Sequence, residues 1–311
     1  MNRLIPYFDA HCDTISACTL QGRPLRKNGG HLDLERMAAY SKAAQVFAMY
    51  ADAEEFPAGT LPQQCQKMHD VLLAEVENNS DILSFCPQGR GIAEANAQEK
   101  IAALLSIEGG ELLNCDPANL ELAASWGVRC INTTWNHRNA LAGSHKEEPE
   151  RGLSDVGREW IKESQRLGIF ADVSHLSDAA FWDIIEMTSQ PVIATHSNSR
   201  TVCNHTRNIT DDMFRAICQT GGVVGINFWL TFVGGTHSME DIIRHVDHFM
   251  ALGGEKHLAL GGDLDGCAAL AGGMKGLEDL PMFWDALRAH GYDDATLEDI
   301  FYNNLLRVMS R

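Results

Sequence analysis

Six residues of the types that bind divalent metals and move protons recur at the ends of apolar runs in this sequence. The first run, YFDAHCDT (7–14), closes on His11 and Asp13. In a strand, residues two apart share a face, so the two point one way and Cys12 points the other. An imidazole beside a carboxylate at a strand end makes half of a divalent metal site. Glu108 follows in SIEGG, His175 ends ADVSH, His196 lies in IATHS and Asp263 in GGDLDG. Three imidazoles and three carboxylates brought together suit two divalent ions bridged by a carboxylate, with nitrogen and oxygen donors favouring zinc-class metals.

Each residue also has an ordinary reading. A lone His after an apolar strand can be a hydrogen-bonded structural group, Glu108 can cap a helix, and Asp263-Leu264-Asp265-Gly266 can be a turn. A calcium loop fails, because no further acidic ligand or terminal Glu follows at the required spacing. The ordinary readings do not account for the same chemistry at the same end of five different strands. The remaining residues take them: His69, His245, His248, His257 and His290 as solvated or capping groups, His31 as an orderer of the GGHLDL loop, and Trp126, Trp160 and Trp182 as packing residues.

The elements that must position the six are legible as alternation. Strand-like runs fall at 7–14, 45–51, 102–109, 128–135, 169–175, 191–197, 222–229 and 257–263. Amphipathic stretches lie between them, among them 62–78, 154–167, 177–188 and 239–252, several opened by a capping Ser or Asp, and 296–309 reads as a closing helix. Short apolar strands separated by helices pair in parallel through crossovers. Eight such units predict an α/β fold, a single (β/α)8 TIM barrel over 1–311, in which catalytic groups stand at the C-terminal strand ends.

Composition narrows the function. A net charge of −17 argues against nucleic acid and anionic membrane as partners. No run approaches the roughly 18 apolar residues of a spanning helix, and MNRLIPYFDA has no leader-type apolar core, which predicts a cytoplasmic protein. Nine cysteines without a C-x-x-C pair read as reduced thiols.

The ordered set DAHCDT, GGHLDLERM, SIEGGE, GVRCINTTWN, GLSDVGREW, GIFADVSH, PVIATHSNSR, HTRNITDD, GVVGINF, GGDLDG and LLRV resembles the renal or membrane dipeptidases, peptidase family M19 of the amidohydrolase superfamily, across essentially the whole chain. The resemblance implies a zinc-dependent hydrolase of dipeptides, including those with a D-configured C-terminal residue, with a dipeptide as partner and a homodimer allowed. It implies two zinc ions: His11 and Asp13 on the more buried one, His175 and His196 on the second, and Glu108 and a hydroxide bridging both. Asp263 then matches the proton-transfer carboxylate, and Arg207 in HTRN the group that grips the substrate carboxylate, a task suited to a guanidinium fork.

One position departs from that family's pattern. Its strand-four motif ends L-T-H with a His taken to contact substrate, whereas here Trp135 stands at that place, followed by Asn136 and His137. Strand alternation would put His137 on the face of Trp135 and make it the substitute donor, with Asn136 the other option and Trp135 an apolar wall. Other readings are a superfamily hydrolase of another small amide, lactone or acyl-amino acid, and a barrel that binds metal or ligand without catalysis.

Overall fold

A computed structural model describes residues 5–311. Nine strands run parallel: β1 (Pro6–Cys12), β2 (Lys42–Tyr50), β3 (Leu83–Phe85), β4 (Ile101–Glu108), β5 (Val128–Asn132), β6 (Phe170–Asp172), β7 (Ile193–Ala194), β8 (Val223–Ile226) and β9 (Leu258–Leu260). Eight of them close in a ring, with β2 pairing directly to β4 and β9 to β1. This is the (β/α)8 barrel, and each of the eight apolar runs carries one of its strands. β3 is extra to that reading. It pairs with the first residues of β4, below the point where β5 begins to pair, and so covers an edge the barrel leaves open.

Alternation along each strand divides the core in two. Phe8, Ala10, Ala44, Val46, Ala102, Leu104, Cys130, Phe170, Ile193, Val223 and Ala259 form the filled barrel interior, and odd or even neighbours pack against the helices. Helices Asp155–Arg166, Asp178–Met187 and Met239–Ala251 start where Ser154, Ser177 and Ser238 accept a backbone N–H of the first turn. Among the described residues no helix is long and apolar enough to cross a membrane. All nine cysteines are free thiols.

The closing helix expected at 296–309 is present and carries an irregularity. Asp294–Glu298 and Asn304–Met309 are α-helical, with a π turn at Asp299–Asn303 between them. Tyr302, Leu305, Val308 and Met309 plug the bottom of the barrel, opposite the strand ends that carry the polar groups. Arg129, buried on β5, fastens this plug. Its guanidinium donates to the carbonyls of Gly168 (2.9 Å), Val308 (3.2 Å) and Arg311 (2.9 Å) and lies 3.9 Å from the Phe170 ring centre. Arg129→Ala removes a charged donor from three carbonyls and leaves a hole beside Phe170. A loss of about 3 kcal/mol is expected in urea unfolding, the scale of charged hydrogen bonds plus lost packing. A loss below about 0.5 kcal/mol, the scale of an ordinary surface change, would show that the plug holds without it.

Candidate metal centre and substrate cavity

β1 carries the irregularity on which the site depends. Phe8 and Ala10 face the barrel interior, so unbroken alternation would turn Cys12 inward and His11 toward the helices. Instead the pairing with β2 slips between Asp9 and Cys12, where three steps on β1 match two on β2. Such a bulge re-aims the side chains beyond it. The Asp9 carboxylate holds the slip in place, accepting the His11 N–H (2.8 Å) and, from beyond β9, the Gly262 N–H (2.8 Å). Cys12 then packs in the outer layer and His11 reaches the mouth, with its Nε2 3.4 Å from Asp13 Oδ2. Burial pushes Asp9 up to about 6 despite those two donors.

Glu108 ends β4 on the inner face and stands between two groups. Its Oε2 lies 3.5 Å from His11 Nε2, and its Oε1 lies 3.0 Å from His175 Nε2 and 3.3 Å from His196 Nε2. Possible ligand atoms of His11, Glu108 and His196 all lie within 4.8 Å of one another, as do those of His11, Asp13 and Asp263. His175 and Asp263 both take left-handed backbone conformations, with φ of 69° and 58°. Non-glycine residues rarely adopt this region, and its cost of about 1–3 kcal/mol tends to collect at functional sites.

The hydrogen bonds fix the imidazole tautomers. Thr195 gives its hydroxyl proton to Asp172, so it can only accept from His196 Nδ1 (2.8 Å). His175 Nδ1 donates to Asn136 Oδ1 (2.9 Å). Both Nε2 atoms are therefore bare, yet they stand 3.0 Å apart and both face one carboxylate oxygen. Lone pairs converge in this way around a cation. His11 Nε2 and Asp13 Oδ1 are also buried without a hydrogen-bond partner among the described residues. The donor set thus fits a divalent metal.

The electrostatics agree. Burial pushes both His175 and His196 well below the usual imidazole range, with Arg207, His145 and His11 adding to it for His175 and His11, Arg207 and His175 for His196, which keeps them neutral. Burial raises Glu108 to about 7 against the pull of His11. It also raises Asp263, helped by Asp13 and opposed by His11 and Arg207. For His11 burial acts downward, but Glu108 and Asp13 outweigh it and hold the ring well above its ordinary value. Several carboxylates crowded in a dry site call for positive charge, and metal cations would supply it.

A cavity of about 260 Å³ opens above this cluster, walled by Tyr50, Trp135, Asn136 and Trp229 and floored by Glu108, His175 and Asp263. A larger cavity, about 380 Å³, lies by Lys42 and Lys100 and is lined by no His. Asp263 Oδ2 accepts from Asn227 Nδ2 (3.1 Å). Arg207 is buried, donating from Nη1 to Ser197 Oγ (2.7 Å), with its Nε and Nη2 unpartnered among the described residues. Burial lowers it to about 10 even though Asp263 and Glu108 favour its charge.

The Trp135 region differs from the strand-based expectation. β5 ends at Asn132, so alternation does not extend to 135–137. Trp135 lines the cavity, its ring centre 4.9 Å from that of Tyr50. Asn136 lines it too and binds His175, whereas His137 is not among the lining residues. His137 Nδ1 instead pairs with Glu147 (2.9 Å), with Asp52 and Glu54 beyond.

Other residues also found structural work. His31 and Asp265 exchange bonds that pin the GGHLDL loop to the mouth. His245, expected to be solvated or capping, is wholly buried and bonds the Ser199 N–H and the Val233 carbonyl. Trp182, expected to pack, is 39% exposed. Sequence reading missed Asp9, Asp172, Asn227 and His145. Of these Asp9 and Asp172 carried a signal, each as a carboxylate inside an apolar strand.

The family model described as membrane dipeptidase (peptidase family M19) matches residues 1–311. A Rhodobacter sphaeroides metallopeptidase, solved with a phosphinate mimic of the dipeptide L-Ala-D-Ala, superposes with a TM-score of 0.92 at 26% identity over 99% of both chains. A structure described as dipeptidase AC, a metallopeptidase of family M19, gives 0.91 at 28% identity, again over 99% of each chain. An uncharacterized protein in the pqqA 5′ region of Klebsiella pneumoniae is 33% identical over 251 residues, covering 77% of this chain and 92% of that protein.

Proposed function

This chain belongs to the membrane dipeptidase family, peptidase family M19, and on that premise we propose that it is a binuclear zinc enzyme that hydrolyses dipeptides, including those with a D-configured C-terminal residue. The observation that carries the proposal is Glu108, whose two oxygens face two different ligand sets. His11 and Asp13 would hold one ion, His175 and His196 the other, and Glu108 both. When bound, such ions supply Lewis acidity to the scissile carbonyl and acidify a water to near neutrality. The D-residue element is supported by the L-Ala-D-Ala mimic carried by the Rhodobacter relative.

The chain's own groups do the rest. Asn227 holds Asp263 Oδ2, which leaves Oδ1 to take the water's proton and deliver it to the departing amine nitrogen as the C–N bond breaks. Arg207 keeps two donors unpartnered in a buried setting, a match for the substrate carboxylate. Trp135 and Tyr50 narrow the cavity to something the size of a dipeptide.

The test is turnover of a panel of L,L- and L,D-dipeptides before and after chelation. Activity lost with chelator and restored by zinc is expected, with about two ions per chain, as in two-metal hydrolases. No turnover on any member by protein that carries metal would redirect the assignment to another small amide, lactone or acyl-amino acid. Asp263→Asn is expected to lose about 10²-fold or more in kcat, the scale of a positioned acid–base, with metal content unchanged. Wild-type turnover in that variant would remove Asp263 from the proton path.

A further inference from the structure

Asn136 combines two features that the dipeptidase reading does not explain. Its Oδ1 is claimed twice, by His175 Nδ1 (2.9 Å) and by His145 Nε2 (2.8 Å). Its Nδ2 makes no hydrogen bond to any described residue, although the side chain lines the cavity beside Glu108, His175 and Asp263. We propose that the Asn136 side-chain N–H₂ is a donor to the substrate carbonyl oxygen as negative charge builds there, and that His145 is the positioning residue that aims it. This rests on the dipeptidase reading for its substrate.

The orientation of the amide follows from bonding. With His175 Nε2 reserved as a metal ligand beside Glu108, the ring proton is on Nδ1 and must meet an acceptor. Turning the amide over would set N–H₂ against the His175 N–H, and with Oδ1 held there the His145 Nε2 can only donate to it. Two donors on one oxygen therefore lock the side chain, and Nδ2 is the half left for the cavity.

His145 is itself held. Its Nδ1 bonds Thr206 Oγ1 (3.0 Å), its backbone N–H donates to the His175 carbonyl (2.8 Å), and Ser144 Oγ donates to the Asn136 carbonyl (2.6 Å). The loop from 136 to 145 thus folds back on its own first residue and on His175, and the donor needs no reorganisation during reaction. Fixed donors aimed at a developing oxyanion are worth about 10²–10³ in kcat.

The experiment compares zinc-loaded wild type, Asn136→Asp, His145→Phe and His145→Gln for kcat and KM on one good dipeptide, for affinity toward a phosphinate dipeptide mimic, and for zinc affinity by chelator competition. Asn136→Asp keeps an acceptor for both imidazoles and loses the donor. Its kcat is expected to fall about 10²–10³-fold with KM near wild type, mimic binding weakened in step and zinc affinity retained. His145→Phe is expected to lose about 10-fold in kcat, the low end for a supporting residue, with His145→Gln restoring part of it through its own amide N–H.

Wild-type kcat in Asn136→Asp overturns the donor role. So does a kcat loss matched by loss of zinc, which would make Asn136 only a support for His175. If the zinc-loaded wild type cleaves no dipeptide, the dipeptidase reading fails separately. Imidazole nitrogen NMR shifts then judge the hold on Asn136, and a His145 protonated only at Nδ1 overturns it.

Discussion

Glu108→Gln is expected to lower kcat/KM for dipeptides by about 10³-fold or more, the rate equivalent of several kcal/mol of lost electrostatic stabilisation, and to leave about one ion per chain instead of two. Glutamine keeps the shape of glutamate but replaces one oxygen with an N–H₂ that cannot ligate. Whichever way the amide turns, either the His11 side or the His175–His196 side loses its shared oxygen. The metal-free fold should be indifferent. Burial works against the Glu108 charge, with Asp13 and Asp263 adding to its cost, so a neutral isostere relieves the repulsion even as it loosens His11. Metal analysis, steady-state kinetics and thermal melting of the chelated protein separate these effects. Two ions and an undiminished rate would mean that Glu108 does not bridge.

What could be read from the sequence was what local periodicity encodes. The eight apolar runs found the eight barrel strands because strands buried on both faces are nearly continuous in apolar residues. The polar groups at their ends could be read because they interrupt that pattern. The residues that aim those groups were not legible. His11 faces the mouth only because β1 slips against β2, and the slip is held by Asp9 gripping Gly262, about 250 residues further on. Nothing in YFDAHCDT announces that partner.

The run 128–135 looked like one strand, yet β5 stops at Asn132, and the loop that follows takes its shape from His145 and Ser144. Alternation therefore favoured His137, while the fold brought Asn136 to the cavity. The π turn at Asp299–Asn303 escaped for a similar reason. The closing helix carries this turn where Tyr302 packs into the barrel bottom, a constraint its own amphipathic pattern does not contain.

Gly266 offers the sharpest remaining test of how closely the carboxylates are packed. A Cβ at this position would come closer than 3.0 Å to both Asp13 Oδ2 and Asp263 Oδ1, the two carboxylates that face His11 across the mouth. Its φ lies outside the left-handed region, so alanine there introduces a collision without backbone strain. The collision cannot be relieved cheaply. Asp263 is tied by its carboxylate to Asn227 and by its backbone carbonyl to the Cys267 thiol, and Asp13 starts the helix Thr14–Gln21 with its backbone N–H bonded to the Leu264 carbonyl. Gly266→Ala should push the two carboxylates off their positions, and a displacement near 1 Å at reacting groups can cost about 10²-fold in rate. Because Asp13 is one of the two, zinc affinity should fall as well, which separates this variant from Asp263→Asn. Gly29→Ala is the matched control, since a Cβ there meets nothing within 4 Å and the backbone is again outside the left-handed region. The comparison is kcat/KM, chelator-competed zinc affinity and melting temperature for both variants. Gly266→Ala is expected to lose activity and zinc and to melt below wild type, and Gly29→Ala to change none of the three. If Gly266→Ala kept both its zinc and its rate, the carboxylates would have room to spare, and their close approach would not be a requirement of the site.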